Sequence, residues 1–443
     1  MNAIFQWIAD LPLDSKTKGL PVAGQTVRLG DIGAQDWNVL RGDLMLPALV
    51  LRDAHLRNNL TVMRRFAEHH GVSLAPHGKS SFSPQLYREQ VDVGGAWGIS
   101  AATVQQATLV AEAGVENVLI VNEVVGRANI EQLVALRHAH PDKSFFTLVD
   151  SEGALDQLAT HAGPHLHPGE RLQVLLEVGF PGGRAGVRTF EQGVAVLDAI
   201  GKRRDLFELV GVECYEGLVS KENDAATVRE VDRLLDLTAD LYRHARDTGA
   251  FAGRAETILS AGGSAFYDRV VERFRLAQLG PETRIVLRGG SCLTYDHGYY
   301  DHYLEMLDAR GGLDMPEGRL PARTTFTPAL ELWAAVVTLQ DEGIAVINMG
   351  IRDLPYDLGY PKPLRHYRDG ALLQELGAGK GPYKVVNSND QHCYLTYPEG
   401  ADLKVGDLIA FGISHPCTAF DKWSVVYRVN ENFTVTGAVK TFF

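Results

Sequence analysis

Leu74-Ala75-Pro76-His77-Gly78-Lys79-Ser80-Ser81 sets one lysine at the end of a short apolar run and just ahead of a helical segment. Residues 72–75 read as a buried strand, and Ser83-Pro84-Gln85-Leu86-Tyr87-Arg88 reads as a helix start with proline at its first position. Lys79 therefore sits at the C-terminal mouth of a strand, the edge where barrels and open α/β sheets carry their chemistry. A lysine held there beside apolar surface loses solvation, which favours its neutral amine. Such an amine can form a Schiff base with a carbonyl cofactor such as pyridoxal 5'-phosphate (PLP). The competing reading is a lysine that ends a strand and points into water, as most lysines do.

Working outward from that stretch, apolar runs at 72–79, 96–100, 117–122, 145–150, 172–179, 209–215, 257–263 and 284–291 alternate with helix-period segments such as 103–113, 129–138, 190–202, 224–248 and 265–275. Eight strands alternating with helices predict an α/β fold, a parallel (β/α)8 barrel over residues 45–300. The runs are nearly continuously apolar, as expected when both sheet faces are covered. Past residue 300 the rhythm changes. Short β-like runs at 330–339, 343–349, 384–387, 393–397, 407–411, 423–429 and 433–437 leave little room for helices between most of them, which predicts a C-terminal antiparallel β domain over 301–443. The run 46–51 precedes the barrel count and is available to that second domain. Residues 1–44 are turn-rich and read as an N-terminal extension of open role.

The chain has 443 residues and a formal net charge of −12, which argues against nucleic acid or an anionic membrane as the main partner. Its four cysteines, Cys214, Cys292, Cys393 and Cys417, are far apart and form no CxxC pair, which fits a reducing compartment. No run of about 18 uncharged apolar residues occurs, and the N-terminus lacks a signal-peptide pattern. A cytoplasmic protein is the expectation.

Several strand ends carry polar or glycine residues. Gly179-Phe180-Pro181-Gly182-Gly183-Arg184-Ala185-Gly186-Val187 presents one arginine, and Glu213-Cys214-Tyr215-Glu216-Gly217 presents a tyrosine. Ser260-Ala261-Gly262-Gly263-Ser264 stands directly ahead of a helix, and Arg288-Gly289-Gly290-Ser291 is followed by Tyr295. Glycines with a serine at a helix N-terminus offer free N–H groups to a phosphate, and late barrel strands are where such sites recur. Singly, each is more often a plain tight turn. Near the C-terminus, Ser414-His415-Pro416-Cys417-Thr418 places His415 and Cys417 two apart, so in extended chain both can face one ion. Imidazole with thiolate favours zinc, although catalytic zinc usually has a third protein ligand; the alternative is a buried cysteine beside a hydrogen-bonded histidine. Asp390-Gln391-His392 is a further polar face or a solvated loop.

Pro76-His77-Gly78-Lys79, Gly182-Gly183-Arg184-Ala185-Gly186-Val187, Ser260-Ala261-Gly262-Gly263-Ser264 and His415-Pro416-Cys417-Thr418 together resemble, in type and order, the D-serine dehydratase and D-threonine aldolase family of fold-type III PLP enzymes. The resemblance spans about 45–430 and is greatest to the bacterial D-serine deaminase-like branch. It implies an alanine-racemase-like barrel with PLP on Lys79. Arg184 and Tyr215 would contact the cofactor, and Gly262, Gly263, Ser264, Gly290, Ser291 and Tyr295 would line its phosphate. Arg288 is carried over to the pyridine ring or to a substrate carboxylate. His415 and Cys417 match the metal pair of the eukaryotic-type dehydratases, where aldolases of the family carry His-x-Asp. Lys79-Ser80-Ser81-Phe82 departs from the Lys-Thr-His-Lys of many relatives. The implied activity is PLP- and zinc-dependent dehydration of a β-hydroxy D-amino acid, D-serine foremost, to a 2-oxo acid and ammonia by a homodimer. D-threonine or 3-hydroxyaspartate obey the same logic. Retro-aldol cleavage, racemisation and a non-catalytic PLP-binding role are the rivals.

Overall fold

In the computed structural model, which describes residues 2–21 and 24–443, the eight parallel strands follow in the order expected. They are Ser73–Leu74, Ile99–Ala101, Asn117–Glu123, Ser144–Val149, Leu172–Val178, Phe207–Cys214, Thr257–Ala261 and Thr283–Leu287. From the second to the eighth each pairs with its sequence neighbour, and the eighth pairs with the first. Pro76 has no N–H to give the ladder, so the first strand is short. The chain nevertheless stays in register beyond it, because the His77 N–H reaches Arg288 O at 3.1 Å. A parallel bridge between His77 and Ser100 then closes the ring.

Inside the barrel, Ala75, Leu119, Phe146, Leu148, Leu175, Val210, Ile258 and Val286 form a buried plug. Side chains two apart on a strand share a face. The faces that carry Leu119 and Leu175 into this plug therefore end, at the C-terminal rim, on Glu123 and Glu177. The apolar lower layers hold the ring together, and the rim is left to polar groups. Around it, helices beginning at Val104, Glu152, Phe190 and Asp224 start on side-chain caps from Thr103, Ser151, Thr189 and Asn223.

The helix Tyr299–Ala309, the hairpin Leu313–Met315 with Gly318–Leu320, and Phe326 pack with the barrel helices, so barrel packing runs past the boundary expected at residue 300. Beyond it lies the antiparallel domain. Its long strand Leu330–Asp341 pairs with Leu408–Gly412 on one side and, along successive parts, with Ala48–Arg52 and Ile344–Ile347. The early strand thus lies in the second domain. Two strands without a sequence signal, Lys362–Arg368 and Ala371–Glu375, extend the sheet. The N-terminal segment is part of this body: Ile8, Leu20 and Ile32 are buried in one cluster with Trp333 and Tyr427.

Candidate active site

Lys79 is held by a tight turn, Gly78–Ser80, at the rim of the barrel. A Cβ added at Gly78 would lie 2.7 Å from Tyr87 Cε1, so glycine is what lets the backbone reach that ring. The Tyr87 hydroxyl donates to Gly78 O at 3.1 Å and fixes the approach. The Lys79 side chain is open to the cavity, but the cavity is walled by protein, and burial lowers its pKa. Nearby Arg184 and Arg288 lower it further, while Cys417 opposes them. The amine at the centre of the site is thus biased toward its neutral form.

The cavity has a volume of about 200 Å³ and is lined by Lys79, Arg184, Tyr215, Gly262, Gly263, Ser264, Gly290, Ser291 and Cys417. One cavity therefore gathers these nine, while Tyr295, His415 and the Asp390-Gln391-His392 stretch do not line it. Arg184 lies over the Tyr215 ring, 5.3 Å from its centroid. Burial pushes the Tyr215 phenol up to about 12, so it stays protonated as a donor. Sequence reasoning missed the acids below. Glu177 and Glu213 also line the cavity and are nearly fully buried. Burial with the adjoining carboxylates pushes Glu177 up to about 10, and burial pushes Glu213 up to about 7 despite its ion pair with Arg288. Arg288 also donates to Cys214 O at 2.6 Å. These acids stand inside apolar strand runs, where a lone glutamate gives no motif.

The two Gly-Ser turns are joined, because the Ser291 N–H donates to Ser264 Oγ at 3.2 Å and the two hydroxyls lie 3.1 Å apart. Gly262 has φ +152°, and a Cβ there would fall 2.4 Å from Arg288 N. At Gly290 it would fall 2.5 Å from His77 O. At both positions neighbouring backbone already occupies the space a Cβ would need, so only glycine lets these turns pack together at the rim. One expectation is corrected: the Gly262 and Gly263 N–H groups donate to the buried Glu216 carboxylate at 3.0 and 2.7 Å, which already satisfies them. The Ser264 and Ser291 side chains still line the cavity. Tyr295 is also corrected. The turn Ser291–Leu293 folds it back into the core, its ring centroid 4.3 Å from that of Phe326 and its hydroxyl 3.5 Å from that of Tyr267. Tyr300 lines the cavity in its place. The remaining amine, arginine, tyrosine and serine hydroxyls fit an aldehyde-bearing phosphate ester such as PLP.

Cys417 comes from the second domain and lies with its Sγ 3.0 Å from Ser80 Oγ, next to Lys79. His415 hydrogen-bonds through Nδ1 to Asp357 Oδ2 at 2.6 Å, and Thr418 Oγ1 donates to Asp357 Oδ1 at 2.6 Å. With Nδ1 engaged, Nε2 is the nitrogen left for an ion. A carboxylate behind a histidine is the usual way a metal ligand is oriented. Hydrogen bonding within the His415, Cys417 and Asp357 group raises His415 to about 9 and lowers Cys417, against burial, which pulls each the other way. This soft, carboxylate-backed donor pair fits zinc. Among the described residues, two further donor groups are His69, His70 and Asp314, and His138, His167 and Glu170. Both are already engaged: His70 bonds to Asp314 O and Arg275, while Glu170 pairs with His138, Arg137 and the His167 N–H.

Two family models match the chain. "Alanine racemase, N-terminal domain" matches residues 52–269, and "Putative serine dehydratase domain" matches residues 329–429. The chain is 24% identical over 396 residues to a 3-hydroxy-D-aspartate aldolase of Paracoccus denitrificans (strain Pd 1222), covering 89% of this chain and 91% of that one. It is 31% identical over 241 residues to a D-threonine aldolase of Arthrobacter sp, covering 50% of this chain and 61% of that one. Its fold is shared with D-threonine aldolase from Filomicrobium marinum (TM-score 0.69, 23% identity, 90% and 95% of the two chains). It is shared equally with D-threo-3-hydroxyaspartate dehydratase from Delftia sp. HT23 (TM-score 0.68, 20% identity, 92% and 99%).

Proposed function

The chain belongs to the D-serine dehydratase and D-threonine aldolase family of fold-type III PLP enzymes, and from that premise we propose that it is a zinc-dependent dehydratase with D-serine as its first substrate. As a PLP-dependent lyase it acts on β-hydroxy D-amino acids. The finer reading is carried by one observation: Cys417, paired with His415, stands beside Ser80 and Lys79 at the mouth of the barrel.

Lys79 would hold PLP, with Arg184 and Tyr215 against it and Ser264 and Ser291 at its phosphate. When bound, that cofactor supplies the electron sink for charge developing at Cα. Lys79, its amine biased toward the neutral form, would be the group placed to accept the Cα proton. Arg288, fixed by Glu213 and Cys214 O, keeps a positive charge in the cavity wall. His415 and Cys417 would hold zinc, which supplies Lewis acidity toward a β-hydroxyl. For D-serine the Cα–H and Cβ–O bonds would break with loss of water, and hydrolysis of the released enamine, through its imine, would break the C–N bond and return that water, so the products balance as pyruvate and ammonia. The chain is expected to work as a homodimer, which sedimentation checks.

A second reading has support of its own, since both curated relatives are named as aldolases. The same amine and metal would then promote Cα–Cβ cleavage to glycine and an aldehyde. Cysteine in place of the aspartate of His-x-Asp favours dehydration. A keto-acid assay with D-serine, repeated after EDTA and after zinc restoration, decides between them. Pyruvate that EDTA abolishes and zinc restores is the expected result. Aldehyde from D-threonine with no keto acid from D-serine overturns dehydration in favour of aldol cleavage.

A further inference from the structure

Asp353 is 1% exposed and lies in the loop that leads from Ile344–Ile347 to Asp357. One carboxylate oxygen accepts the Gly350 N–H at 2.9 Å, and the Leu354 N–H reaches Gly350 O at 3.0 Å, so this half of the loop is a closed turn. Lys18, from the N-terminal segment, places its Nζ 2.6 Å from the other oxygen. The same ammonium donates to Arg352 O at 2.8 Å and to Lys422 O at 3.4 Å, and lies 4.2 Å from the Trp423 ring centroid. Trp423 in turn donates through Nε1 to Asp353 O at 2.9 Å. One cation therefore touches two segments far apart in sequence. The first carries Asp357 four residues beyond Asp353. The second is the exit of the turn that carries His415 and Cys417. Farther along the loop the two are joined again, as Ser414 Oγ donates to Gly359 O at 2.5 Å.

We infer that Lys18 is a positioning residue for the metal site, through which the N-terminal segment clamps the Asp357 loop against the His415–Cys417 turn. The inference rests on the zinc reading above and gives the N-terminal segment a part in it. A buried carboxylate that loses a cationic partner is strongly destabilised. Without Lys18 the turn around Asp353 relaxes to hydrate its carboxylate. Asp357 then no longer fixes Nδ1 of His415, and the imidazole loses its orientation toward an ion. Groups that orient metal ligands typically contribute about 10- to 100-fold in metal affinity.

The test uses the full chain with Lys18→Met and Lys18→Arg, zinc competition against a chromophoric chelator, and hydrogen exchange resolved by segment. Lys18→Met is expected to weaken zinc binding by about tenfold or more. It should speed exchange in 350–360 and 414–423 while leaving the barrel strands at 99–123 unchanged, and Lys18→Arg should keep most of both. Zinc affinity equal to that of the parent protein in Lys18→Met overturns the inference. So does a rise in exchange spread evenly over the molecule, which marks a general loss of stability. If His415→Ala binds zinc as the parent protein does, the zinc reading itself fails. The clamp then stands on exchange alone, and an unchanged rate at 350–360 in Lys18→Met overturns it.

Discussion

Asp357 shows how a single side chain can matter to the chemistry without any local signal. It reaches His415 across 58 residues of sequence and accepts its Nδ1–H, and no motif surrounds it. His415 and Cys417 were legible because two donors two residues apart is itself a pattern, whereas the group behind them is fixed only by the fold. Asp357→Asn can present its amide to Nδ1 and favour the wrong tautomer, so zinc affinity should fall by about 10- to 100-fold with little change in melting temperature. Metal titration beside a thermal melt checks this. Unchanged affinity removes Asp357 from the site. Tyr295 shows the opposite case, an aromatic residue near a phosphate-type turn that the backbone carries into the core. Gly262 and Gly263 were read as offering free N–H groups to a phosphate. The buried Glu216 that occupies their N–H groups lies 46 and 47 residues from them and could not be read from the turn.

At the scale of elements, the barrel strands were legible because their cores are nearly unbroken apolar runs with helix-period segments between them. The strand Lys362–Arg368 was not, because Lys362-Pro363-Leu364-Arg365-His366-Tyr367-Arg368 looks like solvated chain. Its charges are instead absorbed by partners inside the sheet. Arg365 pairs with Glu331 at 2.5 Å, and Arg368 and His366 pair with Asp407 at 2.7 Å. Glu331 also takes Arg52 at 3.0 Å, so one buried carboxylate bolts together the strands at residues 52, 331 and 365. Neutralising it leaves two arginines poorly exposed and unpaired. Glu331→Gln should therefore cost about 3–5 kcal/mol in urea unfolding. A loss below about 1 kcal/mol would show that these guanidinium groups find water or other acceptors.

For the whole molecule, charge and topology act together. The chain enters and leaves the β domain more than once: Ile8, Leu20, Ile32 and the strand Ala48–Arg52 lie on it, the barrel follows, and the sheet resumes at Leu330. The two domains share one cavity, with Lys79 from one and Cys417 from the other. That cavity holds acids whose protons stay on well above the ordinary glutamate value of 4.5, to about 10 for Glu177 and about 7 for Glu213. A carboxyl whose folded pKa is raised binds more protons in the native state than in the unfolded chain. Its stabilising contribution is thus complete below about pH 4.5 and is lost as pH rises through the folded values. The formal charge of −12 works the same way, since repulsion grows as further acids ionise. For the cofactor-free protein, the melting temperature should therefore fall between pH 5 and pH 8. Glu177→Gln separates the two causes: it removes the more strongly shifted of the two buried titrations and alters the overall charge very little. It should flatten the slope and leave the low-pH stability nearly unchanged. If its profile runs parallel to that of the parent protein, the Glu177 carboxyl does not carry the loss at high pH.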